Sequence, residues 1–220
     1  MTDKRITIVC GHYGSGKTNL SVNLALNAAS SHGRVAVADL DIVNPYFRTA
    51  DFGALFANNG IELIAPMFAN SNLDNPAIPP AFGSAIGNPK LRLIVDVGGD
   101  DDGAVALGGF SAKLSEAGYD MLYVINRSRY LQDCAEEEIA LLRSVERAAR
   151  LRVTQLVNNT NLGGETTPEL IRASRQYVED ISRQTGIPVG MTAAEKNMCG
   201  GLGDLENIFP IEIYVKTPWA

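Results

Sequence analysis

Short, almost continuously apolar runs alternate along the chain with longer stretches of helical periodicity. Ile6-Thr-Ile-Val-Cys10, Val35-Ala-Val-Ala38, Ile61-Glu-Leu-Ile64, Leu91-Arg-Leu-Ile-Val95, Met121-Leu-Tyr-Val-Ile125 and Val153-Thr-Gln-Leu-Val157 have the length of strands, and a shorter run follows at Ile187-Pro-Val189. Most do not alternate polar with apolar, which fits strands covered by helices on both faces of a parallel sheet. Residues 17–30 read as a helix. Asp133 and Glu136 make a capping pair ahead of Ile139, Leu142, Val145 and Ala149 at helical spacing. Thr167-Pro168 opens another helix, with Leu170, Ser174, Tyr177, Val178 and Ile181 inward and Gly186 as its stop. The pattern predicts an α/β fold over 1–220: one domain, an open, mostly parallel twisted sheet, helices on both faces. Residues 66–90, with Pro66, Pro76, Pro79, Pro80 and Pro89, are too long for an ordinary connection and read as a functional loop.

Composition narrows the class. The 220 residues carry 25 Asp+Glu against 19 Lys+Arg, a net charge of −6, so a general nucleic-acid partner is not expected. Arg143, Arg147, Arg150 and Arg152 form a local basic run, read as a solvated helix face balanced by Glu136, Glu137, Glu138 and Glu146. Cys10, Cys134 and Cys199 lie far apart without metal-site or disulfide spacing. No apolar run approaches the roughly 20 residues that cross a bilayer, and nothing resembles a signal peptide. A cytoplasmic setting is expected.

The chemistry is concentrated in Gly11-His-Tyr-Gly-Ser-Gly-Lys17-Thr18, which satisfies GxxxxGK[ST] between a predicted strand and a predicted helix. Glycines let successive backbone N–H groups turn inward around phosphate oxygens, and the helix N-terminus adds partial positive charge. Gly11, His12, Tyr13, Gly14, Ser15, Gly16, Lys17, Thr18 and Asn19 are therefore the expected nucleotide-binding set. Lys17 is expected on the β/γ-phosphates and the Thr18 hydroxyl on Mg²⁺. The second strand ends in Asp39-Leu-Asp41 and a later one in Asp96-Val-Gly-Gly99, and strand C-termini in such sheets converge on the ligand crevice. Asp96 is expected to hold Mg²⁺ and Gly99 to bring a backbone N–H to the γ-phosphate. Asp100, Asp101 and Asp102 add carboxylates that read as an acidic turn or a second metal site.

The P-loop, Asp39-Leu-Asp41, Asp96-Val-Gly-Gly99 and Val157-Asn158, in that order, resemble the CobQ/CobB/MinD/ParA-type nucleotide-binding family. That P-loop NTPase class has a three-layer α/β/α fold and also contains dethiobiotin synthetase and nitrogenase iron protein. The resemblance covers about residues 4–195. It implies ATP and Mg²⁺ as cofactors, Asp41 as the catalytic aspartate that positions water, Asp39 as its partner near the metal, and Asn158 as the reader of adenine. Position 12, a lysine in the MinD/ParA branch, is His12 here. The alternating segment Ile208 to Lys216, interrupted by Pro210, lacks the basic amphipathic helix of a MinD-like membrane anchor.

Asn158-Asn-Thr-Asn161 can also be laid on the guanine-reading pattern NKxD. Guanine presents N1–H and N2–H₂ to one carboxylate, whereas an amide offers one acceptor and one donor group, so ATP is favoured over GTP. Arg48 and Arg127 read as surface arginines or arginine fingers, and Cys199 as an isolated thiol or a cluster ligand. Phe82, like Met67 and Phe68, belongs either to the core or to a partner surface. Three functions fit. One is an ATP hydrolase acting as a nucleotide switch on a protein partner, with nucleotide-dependent homodimerisation possible. The second is an ATP-dependent ligase or kinase on a small-molecule acceptor held by residues 66–90. The third is a nucleotide-dependent binding protein with negligible turnover.

Overall fold

A computed structural model of the protein describes residues 4–31, 33–41, 48–65, 78–99, 101–129 and 135–215. Expectations placed on Met67, Phe68, Asp100, Asp133 and Cys134 lie outside them. Eight strands form one sheet: β1 (Ile6–Cys10), β2 (Val35–Leu40), β3 (Ile61–Ile64), β4 (Arg92–Val97), β5 (Tyr119–Ile125), β6 (Gln155–Asn158), β7 (Val189–Glu195) and β8 (Ile208–Ile211). All pairings are parallel, in the order β3-β2-β4-β1-β5-β6-β7-β8. From β1 the chain first builds outward on one side, then crosses to β5 and builds the other. The loop leaving β1 therefore sits where the winding reverses, the place at which open α/β sheets form ligand crevices.

The helices are α1 (Lys17–Ser31), α2 (Gly53–Asn58), α3 (Pro80–Gly87), α4 (Asp101–Gly108), α5 (Ser111–Ala117), α6 (Ala135–Ala149) and α7 (Pro168–Thr185). Apolar residues of α1 and α2, including Leu20, Val22 and Phe56, pack on one face of the sheet against Val9, Ile94 and Leu122. Those of α3 to α7, including Phe82, Leu107, Leu142 and Ile181, pack on the other against Ile8, Val95 and Tyr123. Burial on both faces explains why the strands read as continuous apolar runs.

The expected cap of α7 is present: the Thr167 hydroxyl accepts from Leu170 N at 3.2 Å, Pro168 occupies the first turn, and Gly186 ends the helix at φ 73°. Two expectations are corrected. Residues 80–87, inside the expected loop 66–90, are helical, because Pro80 suits a first helical turn and Phe82, Ala85 and Ile86 are buried. Phe82 stacks edge-on against Phe110 with centroids 4.9 Å apart, so it is a core residue. The short strand expected at 187–189 begins at Val189 and runs to Glu195. Its sequence, Val-Gly-Met-Thr-Ala-Ala-Glu, has too few large apolar residues to show. Among the described residues no helix is long and apolar enough to cross a membrane.

Candidate functional site

The loop between β1 and α1 runs from Gly11 to Gly16, with positive φ at Gly11, Gly14 and Gly16. Gly16 shows why the residue type matters: at φ +88° an added Cβ would lie 2.3 Å from Nδ2 of Asn159. That amide donates to Ser15 O at 2.7 Å, tying the loop after β6 to the phosphate loop. Lys17, buried at the start of α1, donates from Nζ to His12 O at 3.0 Å, so its ammonium closes over the loop's own backbone. Ser15 Oγ is buried and has no hydrogen-bond partner among the described residues. Gly99 lies against the same loop: an added Cβ would be 2.8 Å from Tyr13 N and 3.0 Å from Lys17 Nζ. His12 and the exposed Tyr13 sit at the loop's outer edge, with His12 Nδ1 3.1 Å from Tyr13 O.

Asp39 and Asp96 are register partners on adjacent strands and both are buried. Asp39 accepts from Asp41 N at 3.0 Å and Ala50 N at 2.9 Å. Burial, and then the negative charge of Asp96, push its carboxyl up to about 7. Asp96 accepts from Ser21 Oγ at 3.1 Å and from the Thr49 hydroxyl. Burial drives its carboxyl upward too. The Thr49 hydroxyl and Lys17 oppose this, Asp41 adds to it, and the Thr18 hydroxyl also lowers it. Lys17, Thr18, Asp41 and Asp96 therefore converge. Two buried carboxylates beside a threonine hydroxyl form an oxygen-rich donor set, and oxygen ligands suit a hard dication such as Mg²⁺. Among the described residues no three His, Cys, Asp or Glu side chains cluster as a metal site, so any such ion would also need hydroxyl, water or phosphate oxygens.

Arg48 is not a surface residue. It is buried, with Nε 3.7 Å from Asp39 Oδ2 and Nη2 donating to Asp41 O. It thus holds the end of β2 to the one-turn helix Thr49–Phe52. Arg127 lies over the Tyr177 ring, 4.6 Å from its centroid. Ser21 and Thr49 went unnoticed in the sequence because single hydroxyls carry no spacing signal.

Beside the phosphate loop is a cleft of about 610 Å³ whose lining includes Gly14, Gly16, Asn161, Leu162, Ile213 and Val215. Leu162 and Ile213, 45% and 42% exposed, contribute apolar surface to it. Asn158, the expected base reader, does not line this cleft. Its Nδ2 donates to Ser174 Oγ at 2.9 Å, and its Oδ1 accepts from Thr160 Oγ1 at 2.8 Å. The amide is spent on fixing the end of β6, and Asn159 and Asn161 face the cleft in its place. Asn19 lines it too, but its amide holds the C-terminal segment, donating to Glu212 O at 3.0 Å and accepting from Tyr214 N at 2.8 Å. Cys199 is half-buried near the carbonyls of Ala194 and Glu195, and the other described cysteine, the buried Cys10, is remote from it in sequence.

No protein-family model matches the chain, and no curated protein sequence matches it. Solved structures do. FtsY from Thermotoga maritima is similar with a TM-score of 0.62 at 18% identity, covering 87% of this chain and 61% of that one. FtsY from Elizabethkingia anophelis in complex with GDP gives 0.57 at 18% identity, covering 90% and 60%. The signal recognition particle 54 kDa protein from Aeropyrum pernix in complex with GDP gives 0.56 at 15%, covering 87% and 41%. This chain spans about three fifths of the FtsY chains it resembles. These likenesses show the fold, an α/β fold of the P-loop NTPase type.

Proposed function

We propose that the protein is a Mg²⁺-dependent, MinD/ParA-like ATPase that acts as a nucleotide switch on a protein partner. The observation that carries this is the convergence of Lys17, Thr18, Asp41 and Asp96 beneath a glycine loop at the sheet's winding reversal. In this reading the N–H groups of residues 11–16 surround the phosphates, and Lys17 exchanges the His12 carbonyl for β/γ-phosphate oxygens. Thr18, Asp96 and Asp39 would hold Mg²⁺, which supplies charge neutralisation at the phosphates when bound. Asp41, its backbone carbonyl held by Arg48, accepts a hydrogen bond from the attacking water. Water oxygen bonds to the γ-phosphorus as the bridging P–O bond breaks, leaving ADP and inorganic phosphate. Thr49 and Gly99, both in contact with this set, carry the state of the γ-phosphate to the segments after β2 and β4.

The base occupies the cleft between Leu162 and Ile213 in this reading. GDP is bound in two of the similar structures, which makes guanine the rival. Asn161 stands where the guanine-reading pattern has its carboxylate, and its Oδ1 already accepts from Gly163 N at 2.7 Å, leaving its amide donor for a base nitrogen. The carboxylate that does line the cleft, Glu195, sits at the end of β7 and not in that loop. This favours adenine. Phosphate release should require Mg²⁺, prefer ATP to GTP, and fall by about a hundredfold or more in Lys17→Ala. Equal, substantial turnover in wild type and variant would overturn the assignment.

A further inference from the structure

Away from the phosphate site, an open groove of about 450 Å³ is lined by Arg143, Arg147, Arg150, Arg152, Glu146 and Tyr119. The groove lies where α6 ends and where β5 and β6 begin, so the length of the strands separates it from the loop after β1. The balance of charge expected from the sequence is not met. Glu136, Glu137 and Glu138 occupy the first turn of α6, about 15 Å along the axis from Arg147. Glu138 is committed to the Tyr123 hydroxyl at 2.7 Å. Only Glu146 is in place. Buried, it accepts from Arg143 Nη1 at 2.7 Å, Arg152 Nη1 at 3.2 Å and Val153 N at 2.9 Å. One carboxylate thus orients two guanidiniums and stands against four.

The backbone supplies a second, independent observation. α6 ends in a Schellman turn: Leu151 N donates to Glu146 O and Arg150 N to Arg147 O, both at 3.3 Å. Arg150 occupies the left-handed position at φ 54°, where glycine is the usual residue. Its side chain runs beside Gly108, where an added Cβ would lie 2.9 Å from Ala148 O and 3.9 Å from Arg150 Cδ. An arginine kept in an unfavourable backbone conformation at the rim of a basic groove is the kind of local cost that functional positions bear.

We propose that this groove binds an acidic segment of a protein partner. Guanidinium forks match carboxylates, and the buried Glu146 pre-orients two of the four. The carbonyl end of α6 opens here, and its partial negative charge works against a compact phosphate dianion seated on the helix end. Carboxylates strung along a peptide instead reach the outer guanidinium tips. A nucleic acid long enough to run past the groove would meet a protein of net charge −6. The inference stands apart from the nucleotide chemistry, so its test needs no nucleotide.

Fluorescence anisotropy with a labelled Glu/Asp-rich peptide, and a Gln/Asn-rich peptide of equal length as control, reads this binding on the full chain. The acidic peptide should bind in a salt-sensitive manner and the neutral one should not. Arg147→Glu/Arg150→Glu should weaken binding about tenfold or more, with the folded circular dichroism spectrum retained. The charge-matched pair Arg34→Glu/Lys90→Glu, outside the groove, should leave it within about twofold. Equal binding of both peptides, or equal loss in both variant pairs, overturns the proposal. So does displacement of the peptide by inorganic phosphate or a single-stranded oligonucleotide at lower concentration than the peptide itself requires.

Discussion

At Arg150 the side chain and the backbone make opposing demands. A non-glycine residue in left-handed geometry costs about 1 kcal/mol relative to glycine, and Arg150 has φ 54° at the end of α6. Arg150→Gly should therefore raise unfolding free energy by about 0.5–1 kcal/mol in urea melts, while weakening acidic-peptide binding. Loss of stability on that substitution would show that the guanidinium holds the helix end. Other residues at this scale were readable only in part. Lys17 and Thr18 declare themselves through spacing. Asn158, Asn159 and Asn161 are alike in sequence, and only their hydrogen bonds separate the one that braces β6 from the two that face the cleft. Cys10 is chemically quiet: burial pushes its thiol up to about 12, and it donates to Leu122 O.

At the scale of elements, α1 shows little one-sided apolar pattern for so long a helix, because it is packed on more than one side. Its inner face meets the sheet, while Asn19 and Asn23 receive residues 212–215 as a neighbouring strand would. Asn23 donates to Glu212 O and accepts from Glu212 N, both at 2.8 Å. Asn23→Ala removes both bonds, so amide exchange in 212–215 should quicken by about tenfold or more while β1 and β4 stay protected. Unchanged exchange would mean that the Asn19 amide and the packing of Tyr214 hold the segment without Asn23. The strands were legible because burial on both faces leaves them apolar. α2, α4 and α5 were not, since each is short and takes its place from tertiary packing more than from periodicity. β7 was shifted for the converse reason, its alanines and glycine carrying little hydrophobic signal.

For the whole molecule, the pH dependence of stability is set in part by buried carboxyls. Burial raises Glu138 above its ordinary 4.5, opposed by the Tyr123 hydroxyl and by His12. A carboxyl raised on folding contributes stability that is complete below its unfolded value and is lost as pH climbs through its folded value. Glu138→Gln cannot ionise, so its stability relative to wild type should improve as pH rises above 4.5. Urea midpoints measured across that window give the sign, and a relative decline would show that the ionised carboxylate is the favoured folded form. Fold class, the positions of the strands other than β7, the caps of α7 and the phosphate loop were determined by the sequence itself. Each rests on local propensity, burial period or backbone permissiveness, which neighbouring residues dictate. The partners of Asp96, the walls of the cleft, the burial of Arg48 and the unbalanced arginine groove were decided by the tertiary structure alone. Those depend on which strand ends and helix ends are brought together, and residues far apart in the chain meet only once the sheet is wound.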